Sequence, residues 1–105
     1  MMAMKHIPVF KESLPYHADF RIAGTTYTFT FNYNSEGDFF TIDLERNGDV
    51  LVQGEKIVYG RALFLSVLDE RFPDYPIVPI DFSMQVDRVG WRELGNDVYL
   101  VVLED

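Results

Sequence analysis

The residues that could carry chemistry in this chain are two histidines and a scatter of carboxylates. His6 stands next to Lys5 near the N-terminus, and His17 opens a strand-like segment. Histidine is the natural general base at neutral pH, because it titrates there and can exchange a proton with a bound group. Neither histidine has the spacing of a metal pair such as His-Glu-x-x-His, and neither is accompanied by a nucleophile signature. Both therefore read as surface or half-buried side chains. Asp38, Asp43 and Glu45 lie on or beside one predicted strand, with Asp43 and Glu45 on the same face. Calcium binding would need an Asp-x-Asp-x-Asp-Gly loop, and acid–base work would need two carboxylates at a set separation across a cleft. The sequence has neither, and charged strand faces that discourage edge pairing account for these residues. No Gly-x-Gly-x-x-Gly or Walker lysine motif cradles a phosphate. There are no cysteines, hence no disulfide and no thiolate metal site. The expectation is a protein with no catalytic residues, no cofactor and no metal.

Composition narrows the class further. The 105 residues suit one β domain spanning 1–105, and 48% hydrophobic content supports a real core. Nine Phe and six Tyr favour sheet over helical bundle. The formal net charge is -8, and the nine Lys and Arg form no run. Such a chain lacks the electrostatic attraction that dominates nucleic-acid binding and is repelled by anionic lipid, so neither partner is expected. No apolar run approaches transmembrane length, and the N-terminus has no signal-peptide h-region.

The elements are organised around residues 25–52. Tyr27, Phe29, Phe31 and Tyr33 alternate with Thr26, Thr28, Thr30 and Asn32, the period of a half-buried strand. Asn34-Ser35-Glu36-Gly37-Asp38 turns the chain into a second strand ending near Glu45. Asn47-Gly48 then reverses it, because both central residues of a type I′ turn need φ > 0. A preceding strand covers 16–22, and Ile7-Pro8-Val9-Phe10 supports only a short or edge strand, since proline removes a ladder donor. Gln53-Gly54-Glu55 reads as another hairpin-like turn into a short strand over 56–59. Phe64, Val67, Leu68, Arg71 and Phe72 recur at helical spacing and stop at Pro73, which predicts a short helix around 61–71. Residues 77–86 are extended. Residues 98–103 form a last strand with two apolar faces, both of which call for cover. The expected fold class is all-β: an antiparallel meander forming a small barrel or sandwich, with one short helix.

Candidate working surfaces follow from this frame. The aromatic stripe 27–33 could be core, partner surface or a stacking platform for single-stranded bases, and the absence of basic neighbours makes core the default. Trp91 and Arg92 sit in a polar loop, where Trp91 is either a lid on the core or a contact anchor; both residue types are common interface hot spots. Val98, Leu100 and Val102 are contact candidates as one face of the doubly apolar strand. Asn47 and Gly48 are candidates as an exposed hairpin tip. A small β-barrel binding module for a ligand or single-stranded nucleic acid is the alternative function.

In chain order, Ile7-Pro8-Val9, Tyr27-Thr28-Phe29-Thr30-Phe31-Asn32-Tyr33, Phe40-Thr41-Ile42-Asp43-Leu44 and residues 47–54 make a sequence of landmarks. Ile57-Val58-Tyr59-Gly60, Leu63, Glu93-Leu94-Gly95 and Tyr99-Leu100-Val101 continue it. Taken together they resemble the small plug proteins of contractile-tail phage baseplates, the cyanophage baseplate plug family, over nearly the whole chain. The resemblance implies a virion structural part and not an enzyme. It places the protein in the tail baseplate, after assembly in the host cytoplasm. The partners it implies are other tail proteins near the hub and tube, and self-association as a homo-oligomer is expected with them.

Overall fold

A computed structural model of the chain describes residues 3–64, 71–73 and 75–104. The elements are β1 (Ala3–Ile7), a single 3-10 turn (Lys11–Ser13), β2 (Tyr16–Ile22), β3 (Thr25–Asn34), β4 (Phe39–Arg46), β5 (Asp49–Lys56), β6 (Ile77–Ile80) and β7 (Tyr99–Glu104). They form two antiparallel sheets, one ordered β2-β3-β4-β5 and the other β1-β7-β6. The sheets are not closed into a barrel. They share one hydrophobic core, so the architecture is an all-β sandwich.

The four-stranded sheet is a meander whose turns are local. Ala23 and Gly24, at φ 53° and 80°, join β2 to β3, and Asn47 and Gly48, at 53° and 82°, join β4 to β5. Both pairs are left-handed at both central positions, as a type I′ hairpin requires. The alternation along β3 then fixes which face is inside. Tyr27, Phe29 and Phe31 are at most 3% exposed. They pack with Phe40, Ile42 and Leu44 of β4 into a cluster that also holds Ile7, Ile77, Leu100 and Val102 of the second sheet. The aromatic stripe is therefore core, and its ring faces are closed to a stacking base.

Several expectations are corrected. Gly54 does not turn the chain: it lies inside β5 at φ 70°, where the register against β4 slips. Its N–H donates to Asp43 Oδ1 at 2.7 Å, so a β4 carboxylate holds a bulge in place. The chain then leaves the meander instead of forming a strand over 56–59. Ile57 N–H donates to the Phe40 carbonyl (2.9 Å), and Gly60 and Leu63 N–H donate to Pro79 and Ile77 of β6 (2.9 and 2.8 Å). That crossing covers one side of β6. The strand expected over 77–86 ends at Ile80. The helix expected around 61–71 falls mainly on 65–70, outside the described residues; at its ends, Phe64 is in a turn at φ 62° and Arg71 is in a turn. β1 stops at Ile7, just before Pro8, where a proline would remove the next ladder donor.

Candidate functional site

The last loop before β7 is tied to the β3–β4 turn through one carboxylate. Asp38, at φ 54° in that turn, faces three donors. Tyr33 Oη–H donates to Oδ1 at 2.6 Å, and the Trp91 backbone N–H donates to the same oxygen at 2.8 Å. Arg88 Nη2 donates to Oδ2 at 2.5 Å in an ion pair. Arg88 also lies 3.8 Å from Oε1 of Glu93, whose side chain is 8% exposed. Glu93 Oε1 in turn accepts the Gly90 N–H at 3.0 Å. A side chain at Gly90 would displace the Asp38–Arg88 pair, because an added Cβ would lie 2.5 Å from Asp38 Oδ2 and 2.9 Å from Arg88 Nη2. The Glu93 carbonyl then accepts the N–H groups of Asn96, Asp97 and Val98, winding the loop back toward β7.

This frame sets the position of Trp91. Its ring stacks on Phe40 (centroids 6.1 Å apart, 13° between planes) and tilts against Tyr33 (5.0 Å, 59°). Lys11 Nζ lies 5.4 Å from the ring centroid, and it also donates to the Trp91 carbonyl. Even so, Trp91 remains 40% exposed. Trp91 is a lid with an open outer face: its inner surface closes the core over Phe40 and its outer surface faces solvent. Arg92 is exposed beside it, and its carbonyl accepts the Asn96 Nδ2–H (2.7 Å).

A second loop depends on a second carboxylate. Asp81 is 3% exposed, and its oxygens accept from Ser83 N–H and Oγ–H (2.9 and 2.6 Å), Gln85 N–H (2.9 Å) and Val86 N–H (3.0 Å). The Asp81 N–H itself donates to Tyr59 Oη at 3.2 Å.

These donors shift the titration of both acids. The Tyr33 hydroxyl, then the Trp91 N–H, hold Asp38 below its ordinary 3.8. The Ser83 hydroxyl is the largest influence holding Asp81 below the same value. The Tyr33 phenol is raised, chiefly because it donates to Asp38. A carboxyl with a depressed folded pKa stabilises the fold above its unfolded pKa, and that stability is lost as pH falls through the folded value. Urea unfolding midpoints are thus expected to be flat from pH 7 to about 5 and to fall steeply only below about pH 4. Asp38→Asn and Asp81→Asn should each give a shallower acid limb; identical slopes in all three proteins would overturn this assignment.

The other candidate residues separate into surface and core. Asn47 and Gly48 are exposed at the β4–β5 tip. Val98, Leu100 and Val102 are each 0% exposed in the shared core: Leu100 and Val102 lie on β7, the central strand of its sheet, and Val98 bridges to Leu94 just before it. The histidines stand apart from one another's chemistry. His17 Nδ1 pairs with Thr30 Oγ1 at 2.9 Å, and His6 packs its ring against Tyr99 (5.1 Å). Asp43 is occupied by the Gly54 bulge. Among the described residues, no group of three or more His, Cys, Asp or Glu could hold a metal ion. Reading the sequence missed Asp38 and Asp81 as organising residues. Asp81-Phe82-Ser83 does carry the local signal of a side chain bonding two residues ahead. Nothing local marks Asp38, whose partners Arg88 and Trp91 lie 50 and 53 residues away.

A family model described as the cyanophage baseplate Pam3 plug gp18 aligns with residues 4–105. No curated protein and no solved structure is matched. A plug family of baseplate parts gives the chain a structural role in the phage baseplate, among other baseplate proteins, and points away from enzymatic activity. With all but the first three residues of the chain aligned, the protein belongs to the cyanophage baseplate plug family.

Proposed function

We propose that this chain works in the tail baseplate by non-covalent assembly, joining copies of itself and neighbouring hub or tube proteins during assembly in the host cytoplasm. The observation that supports this reading is the held exposure of Trp91. A Trp ring that is 40% exposed, backed by Phe40 and Tyr33 and fixed through its own N–H to Asp38, is a preorganised contact. Ordering such a ring before association avoids the rotamer entropy that binding otherwise costs. Arg92 and the Asn47-Gly48 tip are further contacts in this scheme, at the rim. Its working parts are surfaces that hold in one assembled state and rearrange in another.

The test is incorporation. Purified virions should contain the chain by mass spectrometry, and hub or tube proteins should co-purify with it. Trp91→Ala is expected to weaken capture of those proteins by at least about 30-fold, the scale of a hot-spot residue worth about 2 kcal/mol. The isolated variant should still unfold cooperatively, since much of the ring faces solvent. Wild-type capture by Trp91→Ala would remove Trp91 from the interface. Virions without the chain would overturn the baseplate reading as a whole.

A further inference from the structure

The two most exposed large apolar side chains after β6 are held out on purpose. Phe82 is 60% exposed and Met84 is 85% exposed. They do not sit on a slack loop. The Asp81 carboxylate accepts three backbone N–H groups and one hydroxyl from residues 83–86, which fixes the path of the segment between them. Met84 is carried at φ 58°, a left-handed conformation that non-glycine residues seldom adopt. Strain of this kind persists only where surrounding bonds impose it, and it gathers at functional positions. The result is a preordered apolar knob.

On the same molecule, β1 and β7 border a recess of about 170 Å³. His6, Pro8 and Phe10 form its exposed rim, and the buried Ile7, Leu94 and Leu100 its floor; the lining contains no Asp, Glu, Lys or Arg. For scale, a dry apolar cavity of about 150 Å³ takes up a benzene ring. One Phe ring or Met side chain therefore matches the space. Two other concavities among the described residues are charged. One is bordered by Asp38, Lys56, Asp87 and Arg88, and the other is formed by Arg46, Asn47, Asp49 and Arg71.

We infer that the Phe82–Met84 knob of one copy seats in the Ile7–Leu100 recess of a second copy. Charge selects this occupant. Each chain carries -8, so two copies meet with least repulsion where neither presents an acidic side chain. Residues 82–86 are Phe, Ser, Met, Gln and Val, with no acid or base among them, and the recess lining has no Asp, Glu, Lys or Arg. The contact is heterologous: each copy gives a knob and receives one. Contacts of that type propagate head to tail and close into a ring where the rotation allows. This inference rests on the proposed self-assembly and supplies its surface.

Because the chain has no cysteine, the contact can be trapped cleanly. Pro8→Cys and Met84→Cys are made separately, checked for cooperative unfolding and mixed in equal amounts under mild oxidation. The expected product is the mixed Pro8→Cys/Met84→Cys disulfide dimer, in excess of both homodimers. In sedimentation equilibrium, the Phe82→Ser/Met84→Ser double variant should self-associate at least about 10-fold more weakly than wild type, the effect of removing about 1.4 kcal/mol of contact. A wild-type chain that stays monomeric at every concentration overturns the inference, as does a Met84→Cys homodimer that outcompetes the mixed product. These measurements use purified chain alone. Presence in virions with no self-association would therefore defeat this inference and leave the baseplate role standing.

Discussion

Phe40→Ala is expected to lower the unfolding free energy by about 3–5 kcal/mol, the range for deleting a fully buried aromatic side chain. A domain of this size has about 5–15 kcal/mol in total, so the loss would leave it near the edge of folding at 37 °C. The position is unusually exposed to such damage because one ring supports two layers. Phe40 is 0% exposed in the shared core, and its outer side carries Tyr33 (4.9 Å) and Trp91 (6.1 Å). Removing it opens a cavity that the antiparallel ladder on both flanks, β3 and β5, cannot collapse to fill. Two readouts separate this account from simple loss of bulk. Urea unfolding gives the stability change. Trp91 emission in native buffer should shift to the red, since the indole loses the ring it stacks on. A stability loss under about 1 kcal/mol with unchanged emission would show that Phe40 does not support the Trp91 platform.

The parts of this structure that could be read from sequence are those fixed by neighbours in the chain. β3 follows from strict alternation of Tyr and Phe with Thr and Asn, and the β4–β5 hairpin follows from Asn47-Gly48, because few other residue pairs accept φ > 0 twice. The parts that could not be read are set by distant partners. Gly54 has the composition of a turn, but the carboxylate of Asp43, 11 residues earlier, keeps it within the sheet. The extended reading of 77–86 failed because Asp81 collects four hydrogen bonds and bends the chain away from β7. Trp91 could not be assigned to lid or anchor because its placement depends on Asp38, 53 residues away in sequence. The proposed contact was thus legible only as a residue type, Trp beside Arg, and the fixed placement of Trp91 only from the fold.

The same distinction bears on the C-terminal strand. Its run of apolar residues reads as a strand needing cover on both faces, from a packed helix or from a neighbouring subunit. The fold supplies it internally. Leu100 and Val102 face the meander at 0% exposure, and Val101, on the opposite face, is 2% exposed between its cross-strand neighbours His6 and Val78. Leu100→Ala therefore tests stability, not association. It is expected to cost about 2–5 kcal/mol in the isolated chain, as for other buried leucines, and the loss should be the same at every protein concentration. An interface residue would behave in the opposite way, with unaltered stability when dilute and weakened assembly when concentrated. The size of the loss should sit toward the upper end, because Leu100 pairs with Ile7 on one side and with Pro79 on the other, both buried, so no free edge lets the site relax. If Leu100→Ala left unfolding of the dilute chain unchanged, the central place of β7 in the core would be wrong. The recess that Leu100 helps to line would then lose its floor as well.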